Sequence, residues 1–374
     1  MKPKILIIRS TSIIKDSRTI KYINLFLEMG YEVEVLGWDR SNEFQPETDY
    51  VYNGMVAKIF YCKKQAKYGA GIKNIYNFMV FKRWIRKQLK KRGNEYLIYA
   101  CDYDVASTAI CCKRNRKFIY DIYDYFADSR NFPKVLKNYF RRKENSIINK
   151  ADAVVVCTEQ RKQQIAGTKP KNLFVIHNTP DITFDSSNFK LKSNNEKTKI
   201  VYVGVLGAER LLNEICDNIG KHPNIELHIG GIGQYEEKVK KLSETTSNVF
   251  YYGSMTYDKV LSLESKCDIL FATYNPAVPN HKYSAPNKFY EAGALSKPII
   301  VCENTGIDKS VVDNDMGIVV DYNPNAFFDA VEKLANDKSQ IKRLGENGNN
   351  AYNEFYSWDI MKKRIKEMLK MVEI

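Results

Sequence analysis

The sequence predicts an α/β fold of two Rossmann-like halves, each a parallel sheet with helices on both faces. Three observations carry this expectation. Short apolar runs of strand length recur along the chain, most of them separated by segments of helical periodicity. The chain has 374 residues, more than one ordinary core accommodates. A polar stretch at 182–198, rich in Ser, Asn and Lys, divides the series in two.

The first apolar run, residues 5–8, reads as a buried strand. A polar loop follows at 9–18, then a helical segment at 19–29 stopped by Gly30, then a strand at 33–36. This β–loop–α–β opening is that of a doubly wound sheet. Further strands are expected at 56–61, 97–100, 117–120, 154–157 and 173–176. The turn Asn178-Thr179-Pro180-Asp181 ends this series. The second series has strands at 199–203, 226–229, 249–252, 269–272, 299–301 and 318–320, with a helix at 211–219 and a basic amphipathic helix at 358–372. The expected division is a first domain at 1–185, a linker at 186–198, a second domain at 199–355 and a C-terminal helix at 356–374 packing back towards the first domain.

Composition narrows the function classes. The eight cysteines (Cys62, Cys101, Cys111, Cys112, Cys157, Cys216, Cys267 and Cys302) include no C-x-x-C pair, so reduced thiols are expected and a zinc site is not. The N-terminal apolar run is too short for a signal peptide. No window approaches the roughly 18 apolar residues of a membrane span. The expectation is a cytoplasmic chain, soluble or peripheral at a membrane.

The formal net charge is +14, which suits either nucleic acid or an anionic membrane together with phosphorylated substrates. Residues 73–92 hold Lys73, Lys82, Arg83, Arg86, Lys87, Lys90, Lys91 and Arg92 without one acid, interleaved with Tyr76, Phe78, Phe81 and Trp84. That is the composition of a basic interfacial helix. A second basic stretch runs from Lys134 to Arg142. No nucleic-acid-binding motif accompanies the charge, so nucleic acid is not expected as a partner.

The densest chemical signal is YSAPNKFYEAGALSKPIIV at 283–301. A proline-marked loop leads to Asn287-Lys288 and a short helix carrying Glu291, then a turn and a strand. A lysine and a carboxylate three residues apart share one helix face. Near a helix start the lysine can meet an anion and the carboxylate can accept from hydroxyls. A nucleotide-sugar offers both, a diphosphate and a ribose diol.

This stretch resembles the donor-site signature of retaining glycosyltransferases of the large bacterial family four, the glycosyl transferases group 1. The resemblance extends along the chain and implies the two-domain GT-B fold. VYVGVLGAER, with Gly204 and Arg210, is similar to the family's glycine–basic loop at the diphosphate, although Val205 stands where many members have arginine and Leu211 replaces a glycine. HIGGIGQYEEKVKKL, with Gly231, resembles the family's strand, G-x-G and helix. Gly253 and Met255 fall in a stretch similar to the base pocket, where backbone groups would read the base. The family's E-x7-E pair is halved, since Glu291 matches the second acid and Tyr283 stands at the first. Backbone amides near Ala285 to Asn287 could serve in place of the missing acid.

In the first half, Asp16 and Arg18 belong to a D-S-R triplet similar to one in relatives. Asp121, Tyr123 and Asp124 fall where the family has Y-D-x-H-[DE], with Tyr123 in the histidine's slot. Asp102 and Asp104 form a D-x-D, but in this context metal binding is not expected. His177 and His281 are expected to be structural.

The resemblance implies transfer of a hexose or amino-hexose from a nucleotide diphosphate sugar, with UDP the expected carrier, retention at the anomeric carbon, and neither cofactor nor metal. Arg210 and Lys288 would stabilise the leaving diphosphate, Glu291 would hold the ribose, and Tyr123 or Asp124 would stand near the reacting sugar. Asp16, Arg18 and Asp121 would lie on the acceptor side. A lipid-linked or saccharide acceptor at the inner face of the plasma membrane suits the charge and the 73–92 helix. Capsule, polysaccharide or teichoic-acid assembly is the implied setting. Two other readings stay open: a nucleotide-sugar epimerase of the same fold, and a non-catalytic glycosyltransferase-like partner subunit.

Overall fold

The computed structural model describes residues 3–66, 74–130, 132–182, 189–193 and 196–372. Lys73 and parts of the 186–198 stretch fall outside the described residues. The chain forms two compact units, one of Met1–Ile176 with Lys362–Ile374 and the other of His177–Met361.

The first unit is built on an eight-stranded sheet of order β3-β4-β2-β1-β5-β6-β7-β8. Its strands are β1 (Lys4–Ile8), β2 (Glu32–Trp38), β3 (Glu47–Tyr52), β4 (Met55–Cys62), β5 (Tyr96–Cys101), β6 (Phe118–Ile122), β7 (Ala153–Val156) and β8 (Leu173–Val175). Its helices are α1 (Ser17–Glu28), α2 (Ile75–Lys90), α3 (Tyr103–Ala109), α4 (Lys134–Lys150) and α5 (Gln160–Gln164). β1 sits at the centre and all of Ile5, Leu6, Ile7 and Ile8 are buried, as a strand covered on both faces requires. Asp16 caps α1 by accepting from the Thr19 amide at 3.2 Å. The inward stripe Tyr22, Ile23, Phe26 and Leu27 then packs on the sheet.

One strand corrects the expectation of purely parallel sheets. β3 pairs antiparallel with β4 through a hairpin at Asn53-Gly54, both with positive φ. Its side chains alternate between exposed and half-buried, so it lacks the apolar run that marks its neighbours.

The second unit carries a six-stranded sheet of order β11-β10-β9-β12-β13-β14. Every neighbouring pair in it is parallel. The strands are β9 (Thr198–Val203), β10 (Ile225–Gly230), β11 (Val249–Tyr251), β12 (Ile269–Ala272), β13 (Ile299–Cys302) and β14 (Gly317–Val320). The helices are α6 (Leu212–Asn218), α7 (Glu236–Thr245), α8 (Tyr257–Ser265), α9 (Asn287–Ala294), α10 (Asp308–Asp313), α11 (Pro324–Ala335) and α12 (Lys338–Ala351), while α13 (Trp358–Met371) begins in this unit and from Lys362 groups with the first. The strand period of two sends Ile200 and Tyr202 of β9 into one core, and Val201 and Val203 into the other. The strand order reverses between β9 and β12, and that switch point is where open α/β sheets hold ligands.

The helix expected from residue 211 begins one residue later. Leu211 has φ 55°, so Arg210 lies in a separate turn, Ala208–Arg210, rather than at the helix start. The last segment, 362–372, groups with the first unit.

Candidate functional site

At the carboxyl edge of the second sheet lies a cavity of about 470 Å³, within the range of small-molecule sites. Of the residues singled out in the sequence, Gly204, Arg210, Gly231, Met255, Ala285, Asn287, Lys288 and Glu291 all line it. Gly253 does not line it but accepts from the Gly231 amide at 2.7 Å, fixing the adjoining turn. Tyr283 is not among the lining residues.

The floor is the first turn of α9. Pro286 precedes the helix, and Pro286, Asn287 and Lys288 at its start all line the cavity. Lys288 and Glu291 are both buried, at 7% and 3% exposure, an unusual state for such side chains. The Lys288 ammonium lies 4.3 Å from the centre of the Tyr202 ring and has no ion pair among the described residues. Burial opposes its charge, but Tyr202, Tyr274, Glu291 and Glu264 outweigh that, so it is held protonated. Glu291 Oε1 accepts from the Tyr257 hydroxyl at 3.0 Å.

The wall is glycine for a steric reason. A Cβ on Gly231 would come within 1.8 Å of the Gly204 carbonyl oxygen, and its φ of +120° excludes most side chains. The bare backbone lets the β9 and β10 loops close on each other at the cavity. The Tyr202 hydroxyl donates to the Val205 carbonyl at 2.9 Å and sets the β9 loop. At the rim the Arg210 guanidinium stacks 5.0 Å from the Tyr274 ring centre, and the Thr273 hydroxyl donates to the Arg210 carbonyl at 2.7 Å. Two cations therefore serve one small site, one fixed in the floor and one on the rim. A diphosphate fits that arrangement.

Sequence reasoning missed Tyr202, Tyr257, Tyr274 and the buried Glu264. Tyr257 and Glu264 stand two turns apart on the face of α8 that meets α9, and Val260 between them also lines the cavity. An acid on the inward face of a helix was the available signal for Glu264.

The first unit has its own polar cluster, at the carboxyl ends of β1, β5, β6 and β7. The Tyr123 ring lies between two guanidinium groups, 4.1 Å from that of Arg9 and 3.7 Å from that of Arg18. Arg18 donates to Asp121 Oδ1 at 2.8 Å, and the Tyr99 hydroxyl to Asp121 Oδ2 at 2.8 Å. Asp121 is fully buried and Arg18 nearly so, and each engages the other. Arg9 donates to Asp16 at 3.0 Å and also pairs with Asp102. Asp102 Oδ1 accepts from the amides of Tyr123 and Asp124, at 2.9 and 3.2 Å. Burial pushes the Asp102 carboxyl up to about 6, against the pull of Arg9. The packed surroundings, and then Cys101, push the Tyr123 phenol well up, so it is a neutral donor near neutral pH and not a base. Asp124 is the most open of the set, with its carboxylate 2.9 Å from Arg161.

Asp102 is thus engaged by an arginine and two amides. No group of three or more His, Cys, Asp or Glu among the described residues is arranged to hold a metal. All four histidines have partners: His177 with Tyr290, His222 with Glu332, His228 with Tyr252, and His281 with the Asn275 carbonyl. No disulfide joins any of the eight cysteines.

Two doubly wound α/β units, one bearing a cation-floored cavity at its switch point, define the GT-B class of glycosyltransferase folds. Residues 183–351, within the second unit, match the family described as glycosyl transferases group 1. An uncharacterized glycosyltransferase of Methanocaldococcus jannaschii is 22% identical over 214 residues, 56% of this chain and 56% of that protein. The capsular polysaccharide biosynthesis glycosyltransferase CapM of Staphylococcus aureus is 24% identical over 199 residues, 50% of each. The chain spans about half the length of the curated relatives it matches. Among solved structures, sucrose-phosphate synthase from Thermosynechococcus elongatus superposes with a TM-score of 0.81 at 14% identity, covering 99% of both chains. HepE of Anabaena, in complex with UDP and glucose, gives 0.69 at 14% identity, covering 98% of this chain and 99% of its own. At these identities the structural likeness carries the fold.

Proposed function

We propose that this protein is a glycosyltransferase that takes a hexose or amino-hexose from a nucleotide diphosphate sugar. The observation that carries the reading is the pairing of buried Lys288 and Glu291 at the start of α9, in a cavity also lined by Arg210. The diphosphate would lie against the amides of the α9 first turn and between Lys288 and Arg210. Both cations gain most when charge builds on the leaving phosphate, which is the electrostatic contribution to the rate. Glu291 would accept from the ribose hydroxyls, and the turn at Gly253 and Met255 would face the base.

UDP is the proposed carrier, supported by the likeness to a fold that holds UDP and glucose in Anabaena HepE. Cell-surface polysaccharide assembly is the proposed setting, supported by the capsular relative. Retention and independence of metal rest on the family resemblance. In the first unit Tyr123 and Asp124 are proposed to face the reacting sugar, with Asp16, Arg18 and Asp121 holding Tyr123 from behind. The acceptor is proposed to be lipid-linked or a saccharide. The basic face of α2 would bring the enzyme to the inner face of an anionic membrane, with no nucleic acid involved.

Incubation with a panel of nucleotide-sugars and a lipid-linked saccharide extract, followed by proton NMR, tests the reading. Expected are release of nucleoside diphosphate and a new glycosidic anomeric signal of the donor's own configuration. An epimerised nucleotide-sugar without transfer would overturn it in favour of an epimerase. Binding without turnover, with co-purification of an intact transferase, would make this a partner subunit.

A further inference from the structure

Glu264 is a buried acid that the donor-site reading does not use. It has no exposed surface, and neither carboxyl oxygen has a hydrogen-bond partner among the described residues. Such a group is costly when ionised and invites an explanation. Its position supplies one. Tyr257, Val260 and Glu264 follow one face of α8, and the first two line the cavity. Glu264 lies one turn further along α8, the helix that packs against α9 with its Lys288 and Glu291.

The charge count there is decided by this residue. With Glu264 neutral, Lys288 and Glu291 leave the dry floor with no net charge. With Glu264 ionised, two carboxylates face one ammonium and the floor turns negative. An incoming diphosphate then meets repulsion where it needs a cation, in a setting that screens poorly.

We propose that Glu264 is a positioning residue of the donor site, a neutral acid that leaves the Lys288 charge available to the diphosphate and withdraws it on ionising. The proposal rests on the donor-site reading and adds a pH dependence to it. Burial first, and then the charge of Glu291, hold the acid protonated well above the ordinary glutamate range, against the opposing pull of Lys288. Lys288 and Glu291, both on α9, are the charged groups that reach it. The other titratable side chains about the floor are phenols and a thiol. Burial raises Tyr202 to about 12, and raises Tyr257 and Cys267 further, so all three stay neutral. Tyr274 and Arg210 complete the rim.

The sign follows from linkage. An anion bound at Lys288 favours protonated Glu264, so affinity must fall as pH rises through the titration of that acid, by at most about tenfold per pH unit for one proton. The probe is a nucleotide-sugar, because its diphosphate is a diester with no ionisation of its own near neutrality. UDP-glucose, ADP-glucose, GDP-glucose and dTDP-glucose are titrated by calorimetry, and the tightest binder is then followed from about pH 6 to about pH 8.5. Wild-type protein is expected to weaken towards the alkaline end. Glu264→Gln is expected to bind as tightly as wild type at the acid end and to hold that affinity throughout. Glu264→Met is carried alongside, and whichever variant melts cooperatively is read. A wild-type slope that survives the substitution overturns this role while leaving the donor site standing. Failure of every nucleotide-sugar to bind wild-type protein overturns both.

Discussion

Single residues carry the charge that this fold places out of water. Lys288 is the clearest, a lysine whose ammonium rests on Tyr202 with no carboxylate paired to it among the described residues. A structural lysine so buried is normally paired, and Lys288 lines the cavity where the proposed diphosphate would lie. Glu144 on α4 shows the opposite case, an acid used for shape. Its Oε1 accepts from the Tyr120 hydroxyl at 2.7 Å and the Phe126 amide at 3.2 Å, pinning the segment that follows β6. Its Oε2 has no hydrogen-bond partner among the described residues. Burial pushes the carboxyl up to about 8, against hydrogen bonds that favour the charged form. Between the unfolded value of about 4.3 and that raised value the folded state binds the extra proton, so stability falls as pH rises. Each pH unit across that window costs about 1.4 kcal/mol through this residue. Melting curves of wild type and Glu144→Gln should therefore diverge in the variant's favour from pH 5 to pH 8, by several kcal/mol at most. A constant difference across that range would contradict the assignment.

At the scale of elements, the basic helix divides its residues more finely than its composition suggested. Phe81, Ile85 and Leu89 of α2 are core, and Phe78 and Trp84 pack against that core. Arg92, just past the helix, is buried with Glu34. What remains outward is Ile75, Tyr76 and Met79, with Arg83, Arg86, Lys87 and Lys90. On α4 the exposed apolar residues are Val135, Leu136 and Tyr139. α3 packs against both helices, so they flank it on the same unit. Flotation with vesicles containing about one-third anionic lipid tests the proposed contact, each outward cation contributing about 1 kcal/mol. Wild-type protein should float at low salt, and Arg83→Glu with Arg86→Glu should not. Equal flotation of the two would remove α2 from the membrane contact.

Elements also differ in how openly the sequence announced them. Strands such as β1, β5, β6, β7, β12 and β13 are buried apolar runs that the sequence announces directly. β3 has no such run: it is half-exposed along its length and joins β4 through the Asn53-Gly54 turn. Lys288 and Glu291 could be read because one short helix presents both. Tyr257 could not, because it reaches the site through the packing of α8 on α9, which no local pattern encodes, and for Glu264 the local signal was only an acid on an inward helix face.

Over the whole molecule the division of labour follows the two units. The family match at 183–351 falls within the second unit, His177–Met361. The first unit's Tyr123, gripped by Arg9 and Arg18, departs from the histidine of relatives, and its chemistry is accordingly the less legible half. No helix among the described residues is long and apolar enough to cross a membrane. The central claim is that the α9 cavity binds a nucleotide diphosphate sugar. Thermal-shift measurements of wild type, Lys288→Ala and Glu291→Ala against nucleotides and nucleotide-sugars test it most directly. A ligand at about a hundred times its dissociation constant stabilises by about 2.7 kcal/mol, a rise of several degrees for a unit of this size. The account predicts that rise for wild type with at least one nucleotide-sugar, and its loss in both variants while their ligand-free melting stays cooperative. An undiminished rise in both variants would place the donor elsewhere and contradict the account.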